Sequence, residues 1–557
     1  MDVSPNVVPM TDKNHDAPAD LPVLLGQKEL EVAPQTCSEA NASKHDTESK
    51  KGGGCPWQIP LVGWFQMLYA TFGSFMPLAM LSYGLQQSFA RNSQDFACKY
   101  YMMDELKLDG ATIGRLHTAA LMPWNLKTVL GMLSDSVPLF GFHRTSYLVI
   151  MCSLCILMYL WIGFFALSTS ALLVCMTCIN LGIAMSDLVL DATAAGLAKQ
   201  HPAEACDLTT SFRVSQALCG MASSGLKGVL VASIGPRSTV MSNIPCSFAV
   251  LFPALRRWLP EERLPAACCS FKPEKLSRNS NLAAAAIFLA IVAVALSLTQ
   301  IFMQDWRARA TVICCCGILV LWISYSGLRS ISSCLSNTAS LLFLRTFLQP
   351  GLGESMFVWM SKADNGPKFT PQLLGMADCF GFVGLFLGVL FFNRFLRRWK
   401  YRSIFLLGQS LLIVSQFLDL ILVMRWNKVL GVPDLLFYLG DETFDQAVTK
   451  TLYLPLAVLA YKVCPSNLEA TMFAMLMTTQ HIGMDCGKYL GVALAEFWGI
   501  VDGNFDYLPH GVISKAVIRL LSLPFIVILA PTVTPDDPID SSSHHQGAQA
   551  RDSSQHN

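Results

Sequence analysis

The feature that most constrains this chain is its recurrence of apolar stretches about as long as a bilayer is thick. Spanning about 30 Å of hydrocarbon takes roughly 20 helical residues. Stretches near that length or longer recur at Leu61–Gln86, Ala111–Leu133, Ser146–Ala166, Ala171–Ala198, Leu208–Ser233 and Thr239–Trp258. A polar stretch from Leu259 to Asn279 interrupts them, and two more runs follow at Leu282–Met303 and Thr311–Leu328. Six further runs are Thr338–Met360, Gln372–Asn393, Ser403–Met424, Leu435–Tyr461, Leu468–Gly499 and Val512–Pro531. Charged residues make up 14% of the chain, against about 25% in soluble domains, and they crowd into the ends and short connections. In hydrocarbon a backbone must satisfy its own polar groups, so such runs form helices. The expected fold class is an all-α polytopic membrane protein with about 12–14 spans. A net charge of +1 gives no ground for nucleic-acid binding.

Basic residues set the expected orientation. The central polar stretch and the cluster Arg394, Arg397, Arg398, Lys400 and Arg402 belong on the cytosolic side. The connections Ser168–Ser170 and Val501–Gly511 carry no Lys or Arg and belong outside. Arg91, Lys99 and Lys107 dilute this alternation without reversing it. Both termini then lie inside. Residues 1–57 read as a disordered cytosolic tail without a cleavable signal peptide, with an unused glycosylation sequence at Asn41. Residues 532–557 read as a second such tail. With no targeting signal evident, the plasma membrane is the default location.

The cysteines imitate a zinc site. Cys152, Cys155, Cys175 and Cys178 have its spacing, but they sit inside apolar runs, where four thiolates would be costly. They read as small apolar fillers, as does the run Cys314–Cys316. No metal or cofactor is expected.

Two halves follow one plan. Gly131 through Asp135 precedes Arg144 and a new span, as Gly388 through Asn393 precedes a basic turn ending at Arg402. The doublet Asp187 and Asp191 is answered by Asp441 and Asp445. From Gly131 to Asp187 is 56 residues, and from Gly388 to Asp441 is 53. Near-equal spacing points to two parallel six-helix bundles, over residues 58–258 and 337–531. Residues 259–336 supply a cytosolic loop and two extra spans between them.

The motifs resemble the folate–biopterin transporter family of the major facilitator superfamily. Pro123-Trp124-Asn125-Leu126-Lys127-Thr128, followed by Gly131, Ser134 and Asp135, is similar to that family's signature. Further resemblances are Gly182 through Asp187 with Asp191-Ala192, Leu439-Gly440-Asp441, Leu454-Pro455 and Cys464 through Ala474. Thr128 stands where the family often has proline, and His481 near where it often has asparagine. The added central spans resemble the trypanosomatid branch. The resemblance implies a carrier of folate, biopterin or another pteridine, or of S-adenosylmethionine as in some parasite members. The partners it implies are a small solute and the bilayer.

Ionisable residues inside spans mark pathways or gates. Lys127, Gly131, Ser134 and Asp135 share one helix face. Asp187 and Asp191 are one turn apart and repel unless a proton or a cation intervenes. Arg213, at similar depth on the next span, is the expected cation. This group is either a cytosolic latch or a substrate or proton site. Asp135 with Arg144 reads as gate or loop architecture. Lys450 lies 12 residues before Lys462, about 18 Å along a helix and so near mid-membrane. Asp441 and Asp445 also lie well before Lys462, and Gln480, Asp485 and Lys488 reach comparable depth on the following span. A carboxylate accepts two hydrogens at once from the flat edge of a pterin. Asp445, Lys450, Asp485 and Lys488 therefore either serve one such ligand or pair with each other. Lys227 either lines the path or snorkels. Arg345 and Glu354 flank the Pro350 break, which either lines a cavity or is a packing kink. The sequence has no H-E-x-x-H, G-x-S-x-G or G-x4-G-K-[ST] motif, so the expectation is a secondary transporter rather than an enzyme or an ATP-driven pump. Proton coupling and a transport-inactive receptor with the same fold are the open alternatives.

Overall fold

The computed structural model describes residues 61–534 except 202–203, 262, 264–279, 330–331, 392–394, 397, 464–468 and 501–503. The two tails up to 60 and from 535, the sequence at Asn41 and the Cys464–Leu468 part of the last motif lie outside the described residues. So do the side chains of Asp135 and Lys450.

Among the described residues there is no strand, only an isolated bridge between Leu139 and Phe142. The first helix, α1, is Leu61–Phe72, ended by Gly73 at φ +57°, a left-handed position that suits glycine. A second helix, α2, runs unbroken through Phe75–Leu81, Ser82–Ala90, Arg91–Tyr100 and Tyr101–Glu105. The run expected as one span at Leu61–Gln86 is therefore two elements, and the spanning one extends 19 residues further. Its polar residues explain the misreading. Gln86, Gln87, Ser88, Ser93 and Gln94 are buried against the rest of the fold, where a hydropathy pattern counts them as loop.

The α3 helix comprises Gly110–Ala120, a tight turn at Met122–Leu126 and Lys127–Ser136. Then come α4 Thr145–Phe164, α5 Thr169–Gln200, α6 Ala205–Ile234 and α7, made of Pro236–Met241 and Ile244–Leu255. The inserted pair is α8 Ser280–Phe302 and α9 Trp306–Arg329. Beyond it are α10 Ser333–Phe347, α11 Gly353–Lys362, α12 Pro371–Phe391, α13 Tyr401–Val423, α14 Asp434–Val463, α15 Glu469–Phe497 and α16, made of Leu508–Leu520 and Ser522–Leu529. The α10 and α11 helices are one span broken at Pro350. Among the described residues, eight helices are long and apolar enough to cross a membrane by themselves. They carry large apolar side chains outward, such as Trp161, Ile318 and Trp322. The doublets Asp187/Asp191 and Asp441/Asp445 stand on α5 and α14, the fourth span of each six.

The halves meet along α6 with α12 and along α3 with α11 and α15. At one end the seam is backbone on backbone. A Cβ on Gly228 would sit 2.2 Å from the Pro371 carbonyl oxygen, and one on Gly110 would sit 2.8 Å from the Ser355 Cα. Toward the opposite end Asp191 and Arg213 are exposed. The inserted α9 packs on α10 and α15, and α8 lies against α3. Glu496, near the end of α15, ion-pairs with Arg309 of α9 and lies 3.6 Å from Arg115 of α3. Arg309 also donates to the carbonyls of Met303 at 2.6 Å and Gln304 at 2.9 Å.

Candidate functional site

The signature segment of α3 forms a junction. Pro123 opens the tight turn, where its missing N–H leaves no helical bond unmade. The turn sets Trp124 between two cations, with the Arg91 guanidinium 4.2 Å and the Lys127 ammonium 4.3 Å from the ring centre, an arrangement the ring's negative face favours. The Trp124 Nε1–H donates to Asn180 of α5 at 3.3 Å. Lys127 ion-pairs with Asp187. Asn125 donates to Asp485 of α15 at 2.6 Å, and the hydroxyls of Thr128 and Thr478 lie 2.8 Å apart. The segment thus ties α2, α5 and α15 together.

Arg213 is not the direct partner of Asp191. The Tyr83 hydroxyl of α2 donates to Asp191, and Phe212 stacks on Tyr83 with ring centres 4.8 Å apart. The exposed Arg213 turns to Gln216 of its own helix at 2.9 Å. Lys127, from α3, pairs with the doublet at Asp187, a contact that depth along neighbouring spans did not single out. Gly131 lets Leu188 approach, with 3.4 Å from a hypothetical Cβ to Cδ1. The Arg144 backbone N–H donates to Glu261 at 3.0 Å and its guanidinium to Thr193 at 3.4 Å.

Asp485 also lies 3.5 Å from Lys488. Gln480 is buried, with its backbone carbonyl accepting from the Thr346 hydroxyl at 3.2 Å. These three stand on α15, whereas Asp441 and Asp445 line a cavity elsewhere. The expected grouping of Asp445 with Asp485 and Lys488 is therefore divided, and the Lys450 side chain lies outside the described residues.

That cavity has a volume of about 390 Å³. It is set in the second half and bordered by Phe96 and Lys99 of α2. Its α14 wall carries Tyr438, Asp441, Glu442, Asp445 and Gln446. Facing it are Ser415, Gln416 and Asp419 of α13, Lys515 and Arg519 of α16, Asp378 of α12, and Glu354 and Phe357 of α11. The Ser415 hydroxyl is 3.1 Å from Asp445 and 3.4 Å from Asp441. Lys515 is 3.4 Å from Asp419, and Gln446 donates to Glu442 at 3.0 Å. Lys99 is 2.9 Å from Glu354, which His117 also approaches at 3.5 Å. Behind Asp378, Lys227 of α6 ion-pairs with it across the seam and donates to Asn92 at 2.7 Å. Lys227 is fully buried, so it does not snorkel.

Sequence reasoning passed over Asp378, Asp419, Glu442, Lys515 and Arg519 as site residues. Each stood inside an expected span, and an ionisable residue there is itself the signal. Lys99 escaped because α2 was placed too early.

The BT1 family profile matches residues 87–550. A probable folate-biopterin transporter of Arabidopsis thaliana is 26% identical over 470 residues, covering 84% of this chain and 85% of its own. A folate-biopterin transporter of Synechocystis is 25% identical over 492 residues, covering 85% and 88%. A folate transporter of Plasmodium falciparum is 20% identical over 455 residues, covering 80% and 78%. These relatives are named as transporters, not enzymes. Among solved structures, a POT family transporter in complex with 5-aminolevulinic acid matches with a TM-score of 0.59 at 12% identity, covering 83% of this chain and 96% of its own. A nucleoside transporter matches at 0.51 and 14% identity, covering 82% and 100%. The fold is that of major facilitator transporters.

Proposed function

The chain belongs to the BT1 family, and from that premise we propose that it carries a folate- or biopterin-class pteridine across its membrane by alternating access. The observation that supports this most is the cavity of about 390 Å³ beside the seam between the halves. It joins aromatic rings to carboxylates and a few cations, the mixture that a flat heterocycle with a donor–acceptor edge requires. The end closed by Gly110 and Gly228 is the outer one in this reading, since the basic connections lie toward the other. The Lys127–Asp187 junction then works as a gate on the inner side. The plasma membrane is the proposed location.

Coupling to protons belongs to the same proposal. Asp441, Glu442 and Asp445 line one cavity on one helix, and carboxylates crowded together favour taking up a proton. Uptake should rise when the outside is made acidic, and indifference to an imposed pH gradient counts against coupling. The surplus of carboxylates in the cavity also favours a second reading, S-adenosylmethionine, whose charge is positive at sulfur. Saturable uptake of labelled folate or biopterin by the full chain, in a host without its own carrier, tests the main reading. An Asp445→Asn variant present at equal surface abundance should lose at least tenfold in rate. No saturable uptake by the wild-type chain at the surface would leave the receptor alternative in its place.

A further inference from the structure

We infer that the cavity selects an uncharged, donor-rich pteridine of the biopterin kind and discriminates against glutamate-tailed folate. The inference rests on the carrier reading above and narrows its substrate.

The cavity's charges can be followed pair by pair. Six carboxylates line it, Glu354, Asp378, Asp419, Asp441, Glu442 and Asp445, against three cations, Lys99, Lys515 and Arg519. Lys99 is already held by Glu354, and Lys515 by Asp419. Asp378 takes Lys227 from behind the wall. The three carboxylates of α14 are left facing one guanidinium. Their hydrogen-bonding neighbours, Ser415 and Gln446, are neutral.

A second observation agrees with this imbalance. Gln416 lines the same cavity and is 2% exposed, yet its Oε1 has no hydrogen-bond partner. A buried acceptor without a donor is unfavourable, so both the carboxylates and this amide oxygen call for N–H or O–H groups from a ligand. Among the described residues, only one lining atom shows the opposite need. Arg519 Nε is buried and unpartnered, while an Nη group of the same side chain donates to the Leu412 carbonyl at 3.1 Å.

A 2-amino-4-oxopteridine matches this pattern. Its 2-amino group and ring N–H donate side by side to one carboxylate, its 4-oxo group accepts one hydrogen bond, and hydroxyls on a short side chain offer further donors. Phe96 and Phe357, with ring centres 6.1 Å apart, supply apolar surface for the ring. Folate presents the same ring but adds two carboxylates. Those need two cations, and the lysines that line the cavity are engaged. Entering such a cavity, a dianion meets like charge at close range.

Competition against labelled biopterin uptake tests the inference in the full-length chain. Unlabelled biopterin should halve uptake at a concentration at least tenfold below that of folate. Pteroate, which lacks the glutamate, should fall between. Glu442→Gln and Asp445→Asn should each raise the biopterin KM at least fivefold and narrow the folate-to-biopterin ratio, at equal surface abundance. Folate competing as well as biopterin, or better, overturns the selectivity and leaves the carrier reading standing. S-adenosylmethionine outcompeting both, or no saturable uptake of any pteridine, overturns both readings. The wild-type panel decides the matter even where a variant fails to reach the surface.

Discussion

The pair of Lys227 with Asp378 invites an asymmetric test, because its two members lie in different surroundings. The lysine side chain is 2% exposed and the aspartate side chain 39% exposed. Unit charges about 4 Å apart attract by about 4 kcal/mol at an effective dielectric of ~20. Water reaching Asp378 from the cavity screens that figure. In Lys227→Met the carboxylate left behind is hydrated, so the loss is near that of a surface pair, about 1 kcal/mol. In Asp378→Asn the ammonium stays enclosed, with Asn92 accepting from it and the Phe96 ring centre 4.8 Å away. An uncompensated buried charge costs about 3–5 kcal/mol, and the remaining amide oxygen at position 378 brings this toward the low end. Asp378→Asn should therefore be less stable than Lys227→Met by about 2 kcal/mol. Thermal unfolding of the full-length protein in detergent should rank wild type first, Lys227→Met second and Asp378→Asn last. The double variant, which removes both charges, should return close to Lys227→Met. If Lys227→Met unfolds first, or the double variant falls below Asp378→Asn, the assignment of a buried cation dependent on one carboxylate is wrong.

Further outcomes follow from other contacts. Gly228→Val should hold the halves apart where the Cβ would meet Pro371, so that a cysteine introduced as Phe357→Cys reacts faster with a water-soluble thiol reagent and transport slows at least tenfold. Trp124→Ala should lower transport more than Trp124→Phe, since phenylalanine keeps an aromatic face for Arg91 and Lys127; equal loss in both would point to the Asn180 hydrogen bond instead. Glu496→Gln leaves Arg309 and Arg115 without their shared carboxylate and should lower the unfolding temperature, whereas Arg115→Gln, which keeps the Arg309 pair, should lower it less. In the connection after α11, Lys368 beside Asp364 at 2.8 Å holds that exposed carboxyl below its usual range. Such a shift adds stability above the ordinary carboxylate range and loses it on acidification, but water screens it, so Asp364→Asn should leave unfolding unchanged from pH 4 to 8.

What the sequence made legible follows from what hydropathy measures. Spans such as Thr145–Phe164 and Trp306–Arg329 present apolar side chains outward, and their pattern was plain. The α2 helix was misplaced because burial in protein, rather than lipid, accommodates Gln86, Asn92 and Asp95. The signature residues Trp124 and Lys127 were visible as oddities in an apolar run. Their partners were not, because the contact from Lys127 to Asp187 spans 60 residues and depends on helix rotation. Asp378, a lone charge in its apolar stretch, and Arg519, one of two in its own, were legible in principle, but nothing in the linear order says that they line one cavity.

Glu496 gives the inserted pair of helices a mechanical meaning. The carboxylate sits on α15 and is shared between a cation of the opposite half and one of the insertion. If the halves swing apart at this end, α3 withdraws Arg115. Because α9 rests on α10 and α15, Arg309 travels with the carboxylate. In such a movement the insertion would serve as a spare counter-ion, keeping the Glu496 carboxylate paired after Arg115 has left it.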